Sequence, residues 1–115
     1  MADCIFCRIA AGEIPAKVVK RTAELVAFHD LGPQAPVHVL VIPAKHLAAA
    51  RDARSTEDQA LVGRLVAFAT EVAAELGLDA GGYRLVANTG HDGGQSVGHL
   101  HFHVLGGRKM GWPPG

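Results

Sequence analysis

The sequence predicts a single α+β domain spanning residues 1–115, and three observations carry that reading. Five short stretches alternate apolar and polar residues or run in β-branched and aromatic ones, as strands do. One long stretch repeats its apolar residues at helical spacing. At 115 residues the chain can bury a core made of one sheet and one or two helices.

The elements follow in order. Residues 4–11 read as a short helix, with Asp3 placed as N-cap and Gly12 as the residue after its end. Residues 18–21 form a weak strand, and 25–30 a stronger one. Gly32, Pro33 and Pro36 mark a loop. Residues 37–42 are rich in β-branched side chains and stopped by Pro43, which predicts a central strand covered on both faces. Residues 44–47 lead into a short turn of helix. Ser55 and Thr56 offer capping hydroxyls to a long helix over about 57–76, where Leu61, Leu65, Phe68, Val72 and Leu76 make an apolar stripe. Val62, Val66, Ala69 and Ala73 widen that stripe, which predicts a second partner, most economically another copy of the chain. Gly77 ends the helix. Residues 83–88 alternate as a strand. The tail, 108–115, holds the lone Trp112 among prolines and is expected to dock, worth on the order of 2–3 kcal/mol if the ring is buried.

Composition excludes several function classes. Eleven basic residues balance eleven acidic ones, so binding driven by a nucleic-acid backbone is not expected. No stretch approaches the roughly 20 apolar residues of a membrane span. The first residues lack the basic and apolar segments of a secretory signal, so the expected compartment is the cytosol. Cys4 and Cys7 then point to a metal or redox role, or to simple packing, rather than to a structural disulfide. Two thiolates leave a tetrahedral zinc site two ligands short.

The most informative stretch is residues 99–105. His99, His101 and His103 alternate with Leu100, Phe102 and Val104, which on a strand puts three imidazoles on one face and three apolar side chains on the other. Outer members of such a row lie about 13 Å apart, so one metal ion can bind two of them at most. The row reads as a reactive strip of groups titrating near neutral pH. A glycine-rich loop, residues 89–98, feeds directly into it and can cradle phosphate with its backbone N–H groups.

These residues resemble the histidine-triad (HIT) superfamily. The run from His99 to Val104 is similar to its His-x-His-x-His motif. Segments around Ile14-Pro15, Phe28-His29-Asp30, Gln34-Ala35-Pro36, Gly93-Gly94-Gln95-Ser96 and Trp112-Pro113-Pro114-Gly115 resemble its Hint branch, the purine nucleoside phosphoramidases. His103 at the third position, rather than glutamine, separates the chain from the nucleotidyl-transferase branch.

The resemblance implies a five-stranded antiparallel sheet with one long and one short helix, and a homodimer. It implies hydrolysis of purine nucleoside 5′-phosphoramidates, with dinucleoside polyphosphate hydrolysis or non-catalytic nucleotide binding as alternatives. His101 would be the nucleophile. His103 and His38 would hold the non-bridging phosphate oxygens, and Ser96 would lie near the leaving amine. Backbone amides around Gln95, Ser96 and Val97 would hold the phosphate. Asp30 would take the ribose hydroxyls with Asn88 nearby, and Ile9, Phe28, His29 and Leu31 would wall the base. No metal would be needed for turnover. Other members of the superfamily bind structural zinc through an N-terminal Cys-x-x-Cys and two histidines, which implies a closed site of Cys4, Cys7, His46 and His99.

Overall fold

A computed structural model describes residues 3–115; Met1 and Ala2, which entered the reading of the N-terminus, lie outside the described residues. The order is α1 (Ile5–Ala10), β1 (Val18–Arg21), β2 (Leu25–His29), β3 (Val37–Pro43), a 3₁₀ turn (Ala50–Asp52), α2 (Thr56–Glu75), β4 (Tyr83–Val86) and β5 (Phe102–Gly106). The strands form one antiparallel sheet in the order β1-β2-β3-β5-β4.

The period of two along β2 and β3 divides the core. Leu25, Ala27, Val39 and Val41 face α2, meeting Leu61, Leu65, Phe68, Ala69, Val72 and Ala73. Val26, Phe28, Leu40 and Ile42 face the other way, under Phe6 and Ile9 of α1. β3 is thus buried on both faces, as its β-branched run predicts. Ser55 caps α2, its hydroxyl accepting from the Asp58 N–H at 3.0 Å. Val62 and Leu76 pack partly against the same core, so much of the widened stripe is covered by the chain itself.

The helical turn that residues 44–47 lead into is present, at Ala50–Asp52. Several expectations need correction. The cap of α1 is Cys4, whose Sγ accepts from the Cys7 N–H at 3.4 Å, and not Asp3. β4 stops at Val86, short of Asn88. The histidine strand begins at Phe102, three residues later than expected. Its partner β3 ends in Pro43, which has no N–H to continue the ladder, and the Leu100 N–H turns instead to the Leu47 carbonyl at 2.6 Å. The ring at the end of the tail does not dock: Trp112 is 85 % exposed, although the Arg84 guanidinium donates to the Gly111 carbonyl at 2.6 Å and the Arg108 guanidinium to the Gln34 carbonyl at 2.9 Å.

Candidate functional site: two imidazole clusters on one sheet face

The alternation survives the loss of the ladder. Leu100 and Val104 lie buried in the α2-side core with Phe102 packed against it, while His99, His101 and His103 turn toward α1. They do not form one strip. His99 joins a cluster with two thiols, and His101 and His103 join His38 beside a cleft.

In the cleft cluster, the hydrogen-bond network assigns each tautomer. The Nδ1–H of His101 donates to the His99 carbonyl at 2.7 Å. Its Nε2 therefore carries the lone pair, and no buried side-chain nitrogen among the described residues is left sealed without a partner, so that atom is open to the cleft. The Gln34 N–H donates to His38 Nδ1 at 3.0 Å, which places the His38 proton on Nε2. That Nε2–H donates to His103 Nδ1 at 2.8 Å, with Asp30 Oδ2 at 3.4 Å from the same nitrogen. His103 is left with its proton on Nε2, a donor available to an anion. Register explains the reach: Leu40 lies opposite His103, so His38 is its diagonal neighbour on the same face.

Burial favours the neutral form of His103 and His38. It pushes His103 down to about 4, with the neighbouring His101 and His38 acting in the same direction and Asp30 opposing. Burial also lowers His38, against the pull of Asp30.

The cleft has a volume of about 310 Å³. Of the expected residues, Ile9, Phe28, His29, Asp30, Leu31, Ser96, Val97, His101 and His103 line it. His38 does not; both its nitrogens are engaged, and it stands behind His103. Gln95 and Asn88 shape the loop instead. The Gln95 amide donates to the Ala48 and Val97 carbonyls at 2.6 and 3.0 Å, its Oε1 accepts from the Gly90 N–H, and its own backbone N–H bonds the Gly90 carbonyl. Asn88 Nδ2 donates to the Gly93 carbonyl at 2.6 Å. A Cβ at Gly93 would lie 2.3 Å from the Thr89 carbonyl oxygen, which is why this turn requires glycine there. The sequence reading missed Ile5, Phe6, Ile14, Ala16, Lys17 and Leu40 in the wall; the apolar spacing of Ile5, Phe6 and Ile9 along α1 was the available signal.

In the thiol cluster, Cys4 Sγ and Cys7 Sγ lie 3.3 and 3.5 Å from His99 Nδ1. His46 Nδ1 lies 3.3 Å from Cys7 Sγ and 3.2 Å from His99 Nδ1. Four ligand atoms thus converge within 4.8 Å of one another. The Nε2–H of His99 donates to the Pro43 carbonyl at 2.8 Å, which leaves Nδ1 as a lone pair aimed into the cluster. Burial holds this ring below the usual histidine range, the neutral state a metal ligand requires. Burial and Cys4 push the Cys7 thiol up. Bonds of about 2.0–2.3 Å to a tetrahedral zinc put ligand atoms about 3.3–3.8 Å apart, close to the spacing found, so the donor set fits that ion.

Comparison with known proteins places this geometry. A family model described as HIT domain matches residues 11–110. An uncharacterized HIT-like protein of Synechococcus elongatus is 50% identical over 113 residues, covering 98% of this chain and 97% of that one. Among solved structures, a HIT family hydrolase from Legionella pneumophila superposes with a TM-score of 0.94 at 49% identity, covering 98% of this chain and 100% of that one. A histidine triad nucleotide-binding protein from Candida albicans gives a TM-score of 0.81 at 32% identity, covering 96% of this chain and 83% of that one. The chain belongs to the HIT domain family. Among the described residues, no helix is long and apolar enough to cross a membrane.

Proposed function

We propose that the protein hydrolyses purine nucleoside 5′-phosphoramidates, releasing a nucleoside monophosphate and an amine through a nucleotidyl-imidazole on His101. The observation that carries this reading is the 2.7 Å bond from His101 Nδ1–H to the His99 carbonyl, which leaves Nε2 as a nucleophile facing the cleft. In the first step the Nε2 lone pair forms a bond to the α-phosphorus as the P–N bond to the amine breaks. The amine leaves with a proton drawn from solvent by way of the Ser96 hydroxyl. In the second step water forms the new P–O bond, the P–Nε2 bond breaks, and a proton returns to solvent. The Nε2–H of His103 and the backbone amides of Ser96 and Val97 stabilise the phosphoryl oxygens. His38 acts through His103, fixing its tautomer. Asp30 accepts from the ribose hydroxyls, and Ile9, Phe28, His29 and Leu31 flank the purine.

Cys4, Cys7, His46 and His99 would hold zinc. Four protein ligands leave no open position, so the ion's contribution is structural: it would tie α1 to the histidine segment. The working unit is a homodimer in the cytosol. Similarity to a hydrolase from Legionella and to a nucleotide-binding protein from Candida supports the reading from both sides, chemistry and ligand class.

Replacing His101 by Asn tests it. Turnover of an adenosine phosphoramidate should fall about 10³-fold or more while nucleotide affinity is retained. Unchanged turnover would remove His101 as nucleophile, and a preference for diadenosine polyphosphates would move the substrate class.

A further inference from the structure

Phe6 lies between the two cysteines in sequence and between the two imidazole clusters in space. It is 6 % exposed. Its ring meets that of His101 almost perpendicularly, with centroids 5.2 Å apart at 89°. It also meets His99 at 5.9 Å and Phe28 at 5.5 Å. One hydrogen bond, from Nδ1–H to the His99 carbonyl, locates one corner of the His101 ring. The His103 ring, with centroids 5.0 Å apart at 65°, limits its tilt from one neighbour, which leaves the contact with Phe6 to limit it from another. An aromatic edge packed against the ring removes the freedom that remains.

We propose that Phe6 is a positioning residue for His101: its ring fixes the plane of the imidazole, and the Cys4/Cys7 clamp on the same helical turn holds Phe6 in place. This rests on His101 being the nucleophile. α1 has six residues, too few to be stable alone. Burial of Phe6 and Ile9, and the Arg21 guanidinium bonded to the Ala10 and Ile9 carbonyls, hold one side of it. The thiols that converge on His46 and His99 hold the other. The two routes from that cluster to the nucleophile, through the His99 carbonyl and through the Phe6 ring, meet on one imidazole. A displacement of α1 by about 1 Å then reaches the reacting nitrogen, where misplacement of that size costs up to about 10²-fold.

The test uses the full chain loaded with zinc and reads turnover, AMP affinity and the Nδ1–H proton resonance of His101. Phe6→Leu keeps an apolar side chain and removes the ring. It should lower kcat about tenfold, raise the AMP Kd by less than that through the lost stretch of cleft wall, and shift or broaden the His101 resonance with zinc content unchanged. Phe6→Tyr keeps the ring and should restore most of kcat. Phe28→Leu removes a ring that packs on Phe6 and forms no ring pair with His101 among the described residues, and should act on KM more than on kcat. Wild-type kcat and resonance in Phe6→Leu, or an equal kcat loss in Phe28→Leu, would overturn the proposal. Chelating the zinc from the wild-type chain should move the same resonance, and a resonance that stays put would overturn the role of the clamp. If Phe6→Leu fails to fold, Phe6→Tyr and chelation carry the test. Because the resonance is read without turnover, failure here is distinct from failure of the nucleophile assignment, which His101→Asn decides.

Discussion

His99 and His101 are two residues apart on the same face, yet they carry their protons on opposite nitrogens. His99 gives its Nε2–H to the Pro43 carbonyl and turns Nδ1 toward two sulfurs. His101 gives its Nδ1–H to the His99 carbonyl and turns Nε2 toward the cleft. In each case a main-chain carbonyl takes one nitrogen and thereby decides what the other can do. An imidazole with Nδ1 among thiols is suited to holding a metal; one with Nε2 at the mouth of a nucleotide-sized cleft is suited to attacking phosphorus. The difference between the two clusters therefore comes from the backbone, and not from the residue type.

The largest way to break this contrast is to remove what the thiol cluster would hold. A ligand bound only by the folded state, present at about a thousandfold its Kd, adds roughly 4 kcal/mol. For a domain of this size that corresponds to on the order of 15 °C in Tm. Chelation of the zinc-loaded protein should lower the melting temperature by about that amount, and Cys7→Ser should reproduce the loss without chelator. A calorimetric melt indifferent to both would show two cysteines that merely fill space, and the contrast would collapse to a single functional cluster.

A smaller effect is expected within the cleft cluster. His38→Asn keeps an acceptor for the Gln34 N–H but no longer reaches His103, whose tautomer is then unset. Steady-state kinetics should show kcat reduced about tenfold to a hundredfold, the range for losing one positioned donor. His38→Gln, whose amide can donate to His103 Nδ1, should recover part of the loss. Equal activity in all three would mean that His103 needs no partner to present its proton.

These contrasts mark what the sequence could and could not disclose. The fold class, the faces of β2 and β3, the span of α2 and the sidedness of residues 99–104 all follow from apolar periodicity, which local residues set. The placement of His38 behind His103 does not, because it depends on β3 pairing with β5 in the register that puts Leu40 opposite His103. The late start of the histidine strand depends on Pro43, fifty-six positions away from His99. Cys4 looked like a ligand or a packing residue, and its thiol is also the cap of α1, a role that Asp3 seemed better made for. Gln95 sat in a phosphate-cradle motif, but its amide binds the loop to itself and to Ala48. Trp112 carried the signal of a buried ring, yet the residue is 85 % exposed among the described residues. In every case a polar or aromatic side chain had its type legible and its partner hidden, because partners are chosen by tertiary geometry.

The mildest perturbation is a change of pH, and it tests whether the cleft rings are as dry as the contrast requires. An unfolded histidine titrates near 6.5, whereas burial pushes His103 down to about 4 and lowers His38 as well. Between those values the unfolded chain binds more protons than the folded one, so acid favours unfolding. The stability these two neutral rings permit is fully present above pH 6.5 and is lost as pH falls toward 4. Urea midpoints should therefore be level from pH 8 to 7 and begin to decline below 6.5, with a shallower decline in His103→Asn. Over the same range the His103 imidazole should remain neutral by nitrogen NMR at pH 5.5, still accepting from His38. A ring that instead titrates near 6.5 would be one that water reaches freely. The bond to His38 would then be broken in half the molecules at that pH, and the fixed tautomer that separates this cluster from its neighbour would be lost.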